Sequence, residues 1–207
     1  MGSCSSRPDD GLSEYQQDVE APMWLLKVED VLRMTPRLLP HQVLKSQRLL
    51  VKWSPKMFAI FVSHQWLGFK HPDPNGEQLQ VLQGILSNLI ARKLKLGEDC
   101  TSQFMKGVLS EKEFNWIASA YIWLDYFSVP QKLDGYLRGH GLAEEQSLYV
   151  YSIPGYVQRC NMFVALTPQS THCDKGTECN FYSWLGMANA RDGHPRQDIL
   201  PLISAGP

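Results

Sequence analysis

The sequence predicts an α/β domain built on a parallel sheet with helices on both faces. Two continuous apolar runs, Phe58–Ser63 and Tyr121–Leu124, are typical of strands that are buried on both faces. Segments with helical spacing separate the strand candidates, and this alternation is typical of parallel α/β sheets. A chain of 207 residues is long enough for one hydrophobic core with a small extension.

The chain before the first strand divides into two predicted segments. Residues 1–20 are rich in polar and turn-forming residues and poor in apolar ones, which predicts disorder. Residues 21–56 contain apolar clusters interrupted by two prolines, which predicts a helical segment that precedes the sheet. The α/β domain itself is predicted over residues 57–207.

Periodicity and turn residues place the later elements. Leucine and isoleucine recur at helical spacing after Glu77, and Gly97 marks the end of that predicted helix. Pro154 must bend or restart the helix in which it lies. The predicted helices cover residues 77–96, 111–118, 144–160 and 178–190, and the third and fourth strands cover residues 162–166 and 199–203.

Polar and aromatic residues follow both apolar runs. Ser63, His64 and Trp66 end the first run, and Asp125 and Tyr126 end the second. Because ligands of open parallel sheets bind outside the carboxyl ends of the strands, these residues are candidate substrate-binding groups. Histidine can exchange a proton near neutral pH, and indole can stack on an aromatic ring. Each residue also has a structural explanation, such as local backbone hydrogen bonds for Ser63 or loop capping for Asp125.

Composition and charge narrow the functional classes. A net charge of -1 argues against a general nucleic-acid partner. Seven basic residues and no acidic residue lie between Val31 and Pro72, which fits a solvated face or a surface for anionic lipid or phosphate. The five cysteines show no regular framework, which is expected of thiols in the reducing cytoplasm. His172, Cys173 and Cys179 match no established zinc spacing, so a metal is not expected. Gly-rich phosphate loops of the Walker or Rossmann kind are absent from the sequence, and no bound cofactor is expected.

The first residues match a lipidation pattern. Gly2 followed by Ser6 is typical of N-myristoylation, and Cys4 lies where a palmitate is often added. Two acyl chains would attach the chain stably to the inner surface of a membrane, whereas one chain binds only marginally. An unmodified start is the alternative.

Several segments resemble Toll/interleukin receptor (TIR) domains in their order and spacing. Phe58–Ser63 and Ile122–Asp125 resemble the first two TIR strands, and Cys160–Pro168 and Ile199–Ile203 resemble later ones. Glu178 is close to the position where TIR domains place the glutamate that opens the next helix.

Fungal heterokaryon-incompatibility (HET) domains show a comparable resemblance. Ser63–Trp66 and Trp123–Gln131 are similar to two HET segments, and together the TIR/HET-like features cover residues 57–203. Two departures stand out, since His64 replaces the usual tyrosine and Cys173–Glu178 replaces the usual Trp-Cys before the glutamate.

The resemblance implies a flavodoxin-like three-layer fold and two alternative functions. Enzymatic TIR-like domains hydrolyse the nicotinamide–ribose bond of NAD in stress or immune-type signalling, which makes Glu178 the candidate catalytic residue and NAD the substrate. Other TIR-like domains are non-catalytic adaptors that signal by self-association at a membrane, which implies a homo-oligomer. A nucleotide sensor without turnover is a third interpretation.

Overall fold

A five-stranded mixed sheet organises the molecule. The structure, a computed structural model, describes residues 19–93, 115–132 and 141–192. The strands are β1 (Trp24–Lys27), β2 (Val51–Lys52), β3 (Ala59–His64), β4 (Tyr121–Trp123) and β5 (Met162–Leu166), in the spatial order β2-β1-β4-β3-β5. Strand β3 is parallel to β4 and β5, whereas β1 is antiparallel to both β4 and β2. The α/β class is thus confirmed, but the sheet is not wholly parallel as predicted.

Helices and a small second sheet complete the described part. The helices are α1 (Val28–Arg33), α2 (His41–Ser46), α3 (Glu77–Ile90), α4 (Asp125–Ser128), α5 (Gly141–Tyr151), α6 (Ile153–Arg159) and α7 (Phe181–Asp192). Strands β6 (Ser170–Thr171) and β7 (Glu178–Cys179) pair antiparallel, and we call residues 170–179 the ribbon.

Most of the predicted elements after residue 57 are confirmed. Strands β3 and β4 lie within one residue of their predicted bounds, and β5 matches them in full. The break predicted at Pro154 is present, since α5 ends at Tyr151 and α6 restarts with this proline in its first turn. The predicted strand over 199–203 lies outside the described residues.

The prediction of a helical segment over 21–56 is wrong in part. Helices α1 and α2 lie there, but β1 inserts into the main sheet, with Leu26 opposite Ile122. Leu25 and Leu26 are fully buried and point into different core clusters, as successive residues of a strand must. A short apolar run of this kind fits a helix or a strand equally well, so periodicity alone could not assign it.

Both faces of the sheet are covered. Ile60 and Val62 of β3 belong to a core cluster with the leucines of α3, whereas Phe61 belongs to a second cluster with Tyr156 of α6. Phe61 also stacks on Trp123, with ring centroids 4.3 Å apart. Burial on both faces explains why β3 reads as a continuous apolar run.

The strand order positions a crevice. From β3 the chain passes to β4 on one side and then to β5 on the other side of β3. The carboxyl end of β3 therefore lies at a topological switch point, where ligands of open sheets characteristically bind.

Candidate functional site

A cleft of about 510 Å³ lies at the carboxyl end of β3. Strand β3 and the loop after it form one wall, and the ribbon with the first turn of α7 forms the other. The lining residues include Ser63, His64, Gln65, Trp66, Phe69, Asp125, His172, Lys175, Glu178, Cys179, Ser183 and Trp184. Four of the five predicted binding residues and the predicted catalytic Glu178 thus line one cleft.

The centre of the cleft is a carboxylate that accepts two hydrogen bonds. Oδ1 of Asp125 lies 2.9 Å from Nε2 of His64, and Oδ2 accepts a hydrogen bond of 3.0 Å from Nε1 of Trp66. A carboxylate can only accept, so Nε2 of His64 carries a proton. The His64 side chain is only 1% exposed and that of Asp125 is 37% exposed, so the pair presents its acidic member to the cleft.

Charge holds this pair in its ionised form. Burial lowers the pKa of His64, but the charge and hydrogen bond of Asp125 outweigh burial and the pKa is raised. Burial likewise raises the pKa of Asp125, but His64 and the Trp66 hydrogen bond outweigh it and the pKa is lowered. The site therefore contains an imidazolium–carboxylate pair at mildly acidic pH, between the ordinary pKa values of the two groups.

Gln78 of α3 lies behind the imidazole and supports its charge. The Gln78 amide nitrogen donates to the carbonyl oxygens of Gln65 and Pro72, which orients the side chain. Oε1 of Gln78 and Nδ1 of His64 are both buried, and neither forms a hydrogen bond with a described residue. The Gln78 amide nevertheless raises the pKa of His64 and so favours the protonated ring. No sequence pattern pointed to Gln78, because it falls among the buried positions of an amphipathic helix.

The structure does not place Tyr126 in the cleft, contrary to the prediction. Helix α4 begins at Asp125, so the next side chain turns back into the core, where Tyr126 is 4% exposed. Its ring packs edge-on against Trp66 with centroids 5.9 Å apart. Tyr126 therefore positions Trp66 from behind.

Side-chain hydrogen bonds connect helix α7 to the carboxyl end of β3. Oγ of Ser63 accepts a hydrogen bond of 3.1 Å from Nε1 of Trp184, and Gln65 donates to Oγ of Ser183. Ser63 thus bonds to a distant side chain and not to its local backbone. These bonds fix one wall of the cleft against the other.

Glu178 lies in the cleft, but it does not open a helix as predicted. It belongs to β7 opposite Thr171, and α7 begins at Phe181. Asn180 and Ser183 exchange hydrogen bonds between side chain and backbone, and such a reciprocal cap is a strong start signal for a helix. The exposed Glu178 forms no ion pair with any residue in the described ranges.

The ribbon brings residues to the cleft that sequence reasoning missed. The backbone of Cys173 donates to the carbonyl oxygen of Leu67 at 2.7 Å, and the Asp174 carboxylate accepts from the backbone of Phe69 at 2.7 Å. Lys175 consequently lies with its ammonium 5.4 Å from the centroid of the Phe69 ring. No local pattern could have found Lys175, because only contacts across the fold place it there.

Two further findings concern the described residues only. Nowhere in residues 19–93, 115–132 and 141–192 do three or more His, Cys, Asp or Glu side chains form a group that could hold a metal ion. In the same ranges, every helix is too short or too polar to traverse a bilayer.

Comparison with known proteins finds no relative. The chain matches no protein-family model, and no curated protein or solved structure is significantly similar to it. The resemblance to TIR and HET domains therefore remains a prediction, and function must be argued from the cleft.

The ion pair makes stability depend on pH in a defined direction. Because the pKa of His64 is raised on folding, the protonated ring stabilises the fold fully below pH 6.5, the ordinary pKa of histidine. This stabilisation is lost as the pH rises through the pKa of His64 in the folded protein. The lowered pKa of Asp125 contributes stability above its ordinary value of 3.8 that is lost as pH falls through the folded value. The ion pair therefore stabilises the fold fully between about pH 3.8 and pH 6.5.

We expect Asp125→Asn to reduce the free energy of unfolding more at about pH 5.5 than at about pH 8.5, as measured by urea denaturation. Glu29→Gln, which alters the ion pairs of an exposed carboxylate on α1, is the control and should show no such pH trend. A deficit of Asp125→Asn that is constant or grows with pH would contradict the assigned ionisation.

Proposed function

We propose that the cleft binds NAD and hydrolyses its nicotinamide–ribose bond. The observation that carries the proposal is the convergence of an unpaired carboxylate, Glu178, with aromatic rings and an ammonium group in one cleft at the switch point. The resemblance to enzymatic TIR-like domains indicates the same glutamate as the catalytic residue.

Glu178 supplies the chemistry that this cleavage needs. The bond between C1′ of ribose and the pyridinium nitrogen breaks, and its electron pair returns to the ring, so that neutral nicotinamide leaves. A nearby carboxylate stabilises the oxocarbenium-like ribose that remains. Water then adds to C1′, and its proton passes to the carboxylate and on to solvent, which leaves ADP-ribose.

The other lining residues divide the binding of NAD between them. Trp66 and Trp184 offer indole rings for a planar base. Lys175 offers a cation for the pyrophosphate, and the outward carboxylate of Asp125 accepts from ribose hydroxyls. His64 is nearly fully buried, so its part is to hold Asp125 ionised.

The finer fold assignment belongs to the same proposal. We propose a flavodoxin-like three-layer domain, supported by the position of β3 between its parallel neighbours β4 and β5 and by core clusters on both faces of the sheet.

Glu178→Gln should lower the rate of nicotinamide release from NAD by at least about a hundredfold, because it removes the charge that stabilises the transition state. Chromatographic detection of nicotinamide measures this rate. Glu144→Gln changes an exposed glutamate of α5 outside the cleft and should keep the wild-type rate. Wild-type activity in Glu178→Gln would overturn its catalytic role, and inactivity of the wild type would overturn NAD hydrolysis.

A second candidate function is a non-catalytic adaptor that acts by self-association. Helix α5 favours it, because Leu148 and Tyr151 lie on the same helix face and are 41% and 73% exposed. Large apolar side chains grouped on a surface are typical of contact sites. A second copy of the chain is the partner that this function implies.

If the chain acts as an adaptor, Tyr151→Glu is expected to shift the oligomer towards monomer, because a charge replaces an apolar contact. Light scattering during size-exclusion chromatography over a range of protein concentrations measures the shift. Tyr182→Glu alters a tyrosine of α7 that is 81% exposed and should leave the oligomer intact. A wild-type chain that stays monomeric at all concentrations would contradict self-association.

We also propose that acyl chains on Gly2 and Cys4 attach the chain to the inner surface of a membrane. Mass spectrometry of the N-terminal peptide from eukaryotic cells should show the added mass of a myristoyl group on Gly2. An unmodified Gly2 would contradict the anchor.

A further inference from the structure

One edge of the main sheet carries a cluster of cations. Lys45 lies on α2, Arg48 follows in the next turn, and Lys52 lies on the edge strand β2; we call these three residues the basic edge. All three are exposed. The Nζ atoms of Lys45 and Lys52 lie 4.9 Å and 5.5 Å from the centroid of the Trp24 ring, so both ammonium groups form cation–π contacts with the same indole.

The charges of the basic edge are not neutralised within the described structure. Lys27 and Arg33, which are near in sequence, both pair with Glu29. No member of the basic edge pairs with an acidic residue in the described ranges.

Protection of the edge strand does not explain the whole cluster. Lysine on an edge strand hinders pairing with other chains, and this role accounts for Lys52. It does not account for Lys45 and Arg48, which lie outside the strand. Arg48 adopts a φ of 59°, a conformation that favours glycine or asparagine, yet the position holds a cation.

We propose that the basic edge binds the headgroups of an anionic phospholipid membrane. Unpaired exposed cations complement such a surface. The half-buried ring of Trp24 lies under the two lysines and holds their ammonium groups at the surface, where headgroup phosphates could reach them.

The path of the chain favours a membrane over other anionic partners. Trp24 is the first residue of β1 and lies opposite Lys52, so the N-terminal segment reaches the sheet beside the basic edge. The 22 residues from Gly2 to Met23 can span at most about 75 Å, so an acyl chain on Gly2 would keep the domain close to the bilayer and raise the effective concentration of headgroups around the basic edge. A polybasic surface is one of the second signals that a single acyl chain needs for stable attachment.

This inference deepens the proposed membrane attachment and is independent of NAD hydrolysis. Its test uses the full 207-residue chain produced without acylation, so that the surface is measured apart from the anchor. The chain is sedimented with vesicles of phosphatidylcholine alone and with vesicles that also contain about 30% phosphatidylserine. We expect binding only to the anionic vesicles, and weaker binding at higher salt.

The double variant Lys45→Gln/Lys52→Gln should reduce partitioning into anionic vesicles by about fivefold per lysine. The control Lys27→Gln/Arg33→Gln removes the same formal charge from residues that Glu29 and Asp30 already neutralise, and it should change partitioning less than about twofold. Both variants should keep the wild-type melting temperature, because all four side chains are on the surface.

Three outcomes would overturn the proposal: equal binding to both kinds of vesicle, equal losses in the two double variants, or binding to polyuridylate or polyglutamate without binding to anionic vesicles. Nicotinamide release measured in solution should be the same in Lys45→Gln/Lys52→Gln as in the wild type. A failure of the membrane proposal is thereby distinguished from a failure of the hydrolase proposal.

Discussion

The structure of the cleft depends on the ion pair between His64 and Asp125. An imidazolium that is almost completely buried is tolerated only beside a counter-charge, and residue 125, 61 positions further along the chain, supplies it. The same carboxylate binds the indole of Trp66, and Tyr126 supports that ring from the core. One carboxylate therefore joins the ends of β3 and β4 and fixes the aromatic wall of the site.

The arrangement separates a rigid centre from an accessible reactive group. The buried pair holds Asp125 ionised, while Glu178 is exposed on the opposite wall. Hydrogen bonds from Cys173 to the loop at Leu67 and from Trp184 to Ser63 keep that wall in place. A preorganised cleft with a free carboxylate is the arrangement that stabilisation of a cationic transition state requires.

The candidate site was partly predictable because the carboxyl ends of parallel strands meet at one edge of a sheet. His64 and Asp125 could be grouped from this rule alone, before any contact was known. The position of Lys175 could not be predicted in this way, because it depends on the hydrogen bond between the ribbon and the loop after β3. Helix α7 begins at Phe181, three residues after the predicted start at Glu178, because Asn180 and Ser183 form the cap there.

Local periodicity and proline geometry are enough to predict the buried strands β3, β4 and β5, the helix that begins at Glu77 and the break at Pro154. Only long-range packing brings β1 into the sheet beside β4, turns Tyr126 inward and places Glu178 in the same cleft as the ion pair. These outcomes depend on which distant segments pack together. A short run such as Trp24–Lys27 fits a helix or a strand until a partner strand is present to pair with it.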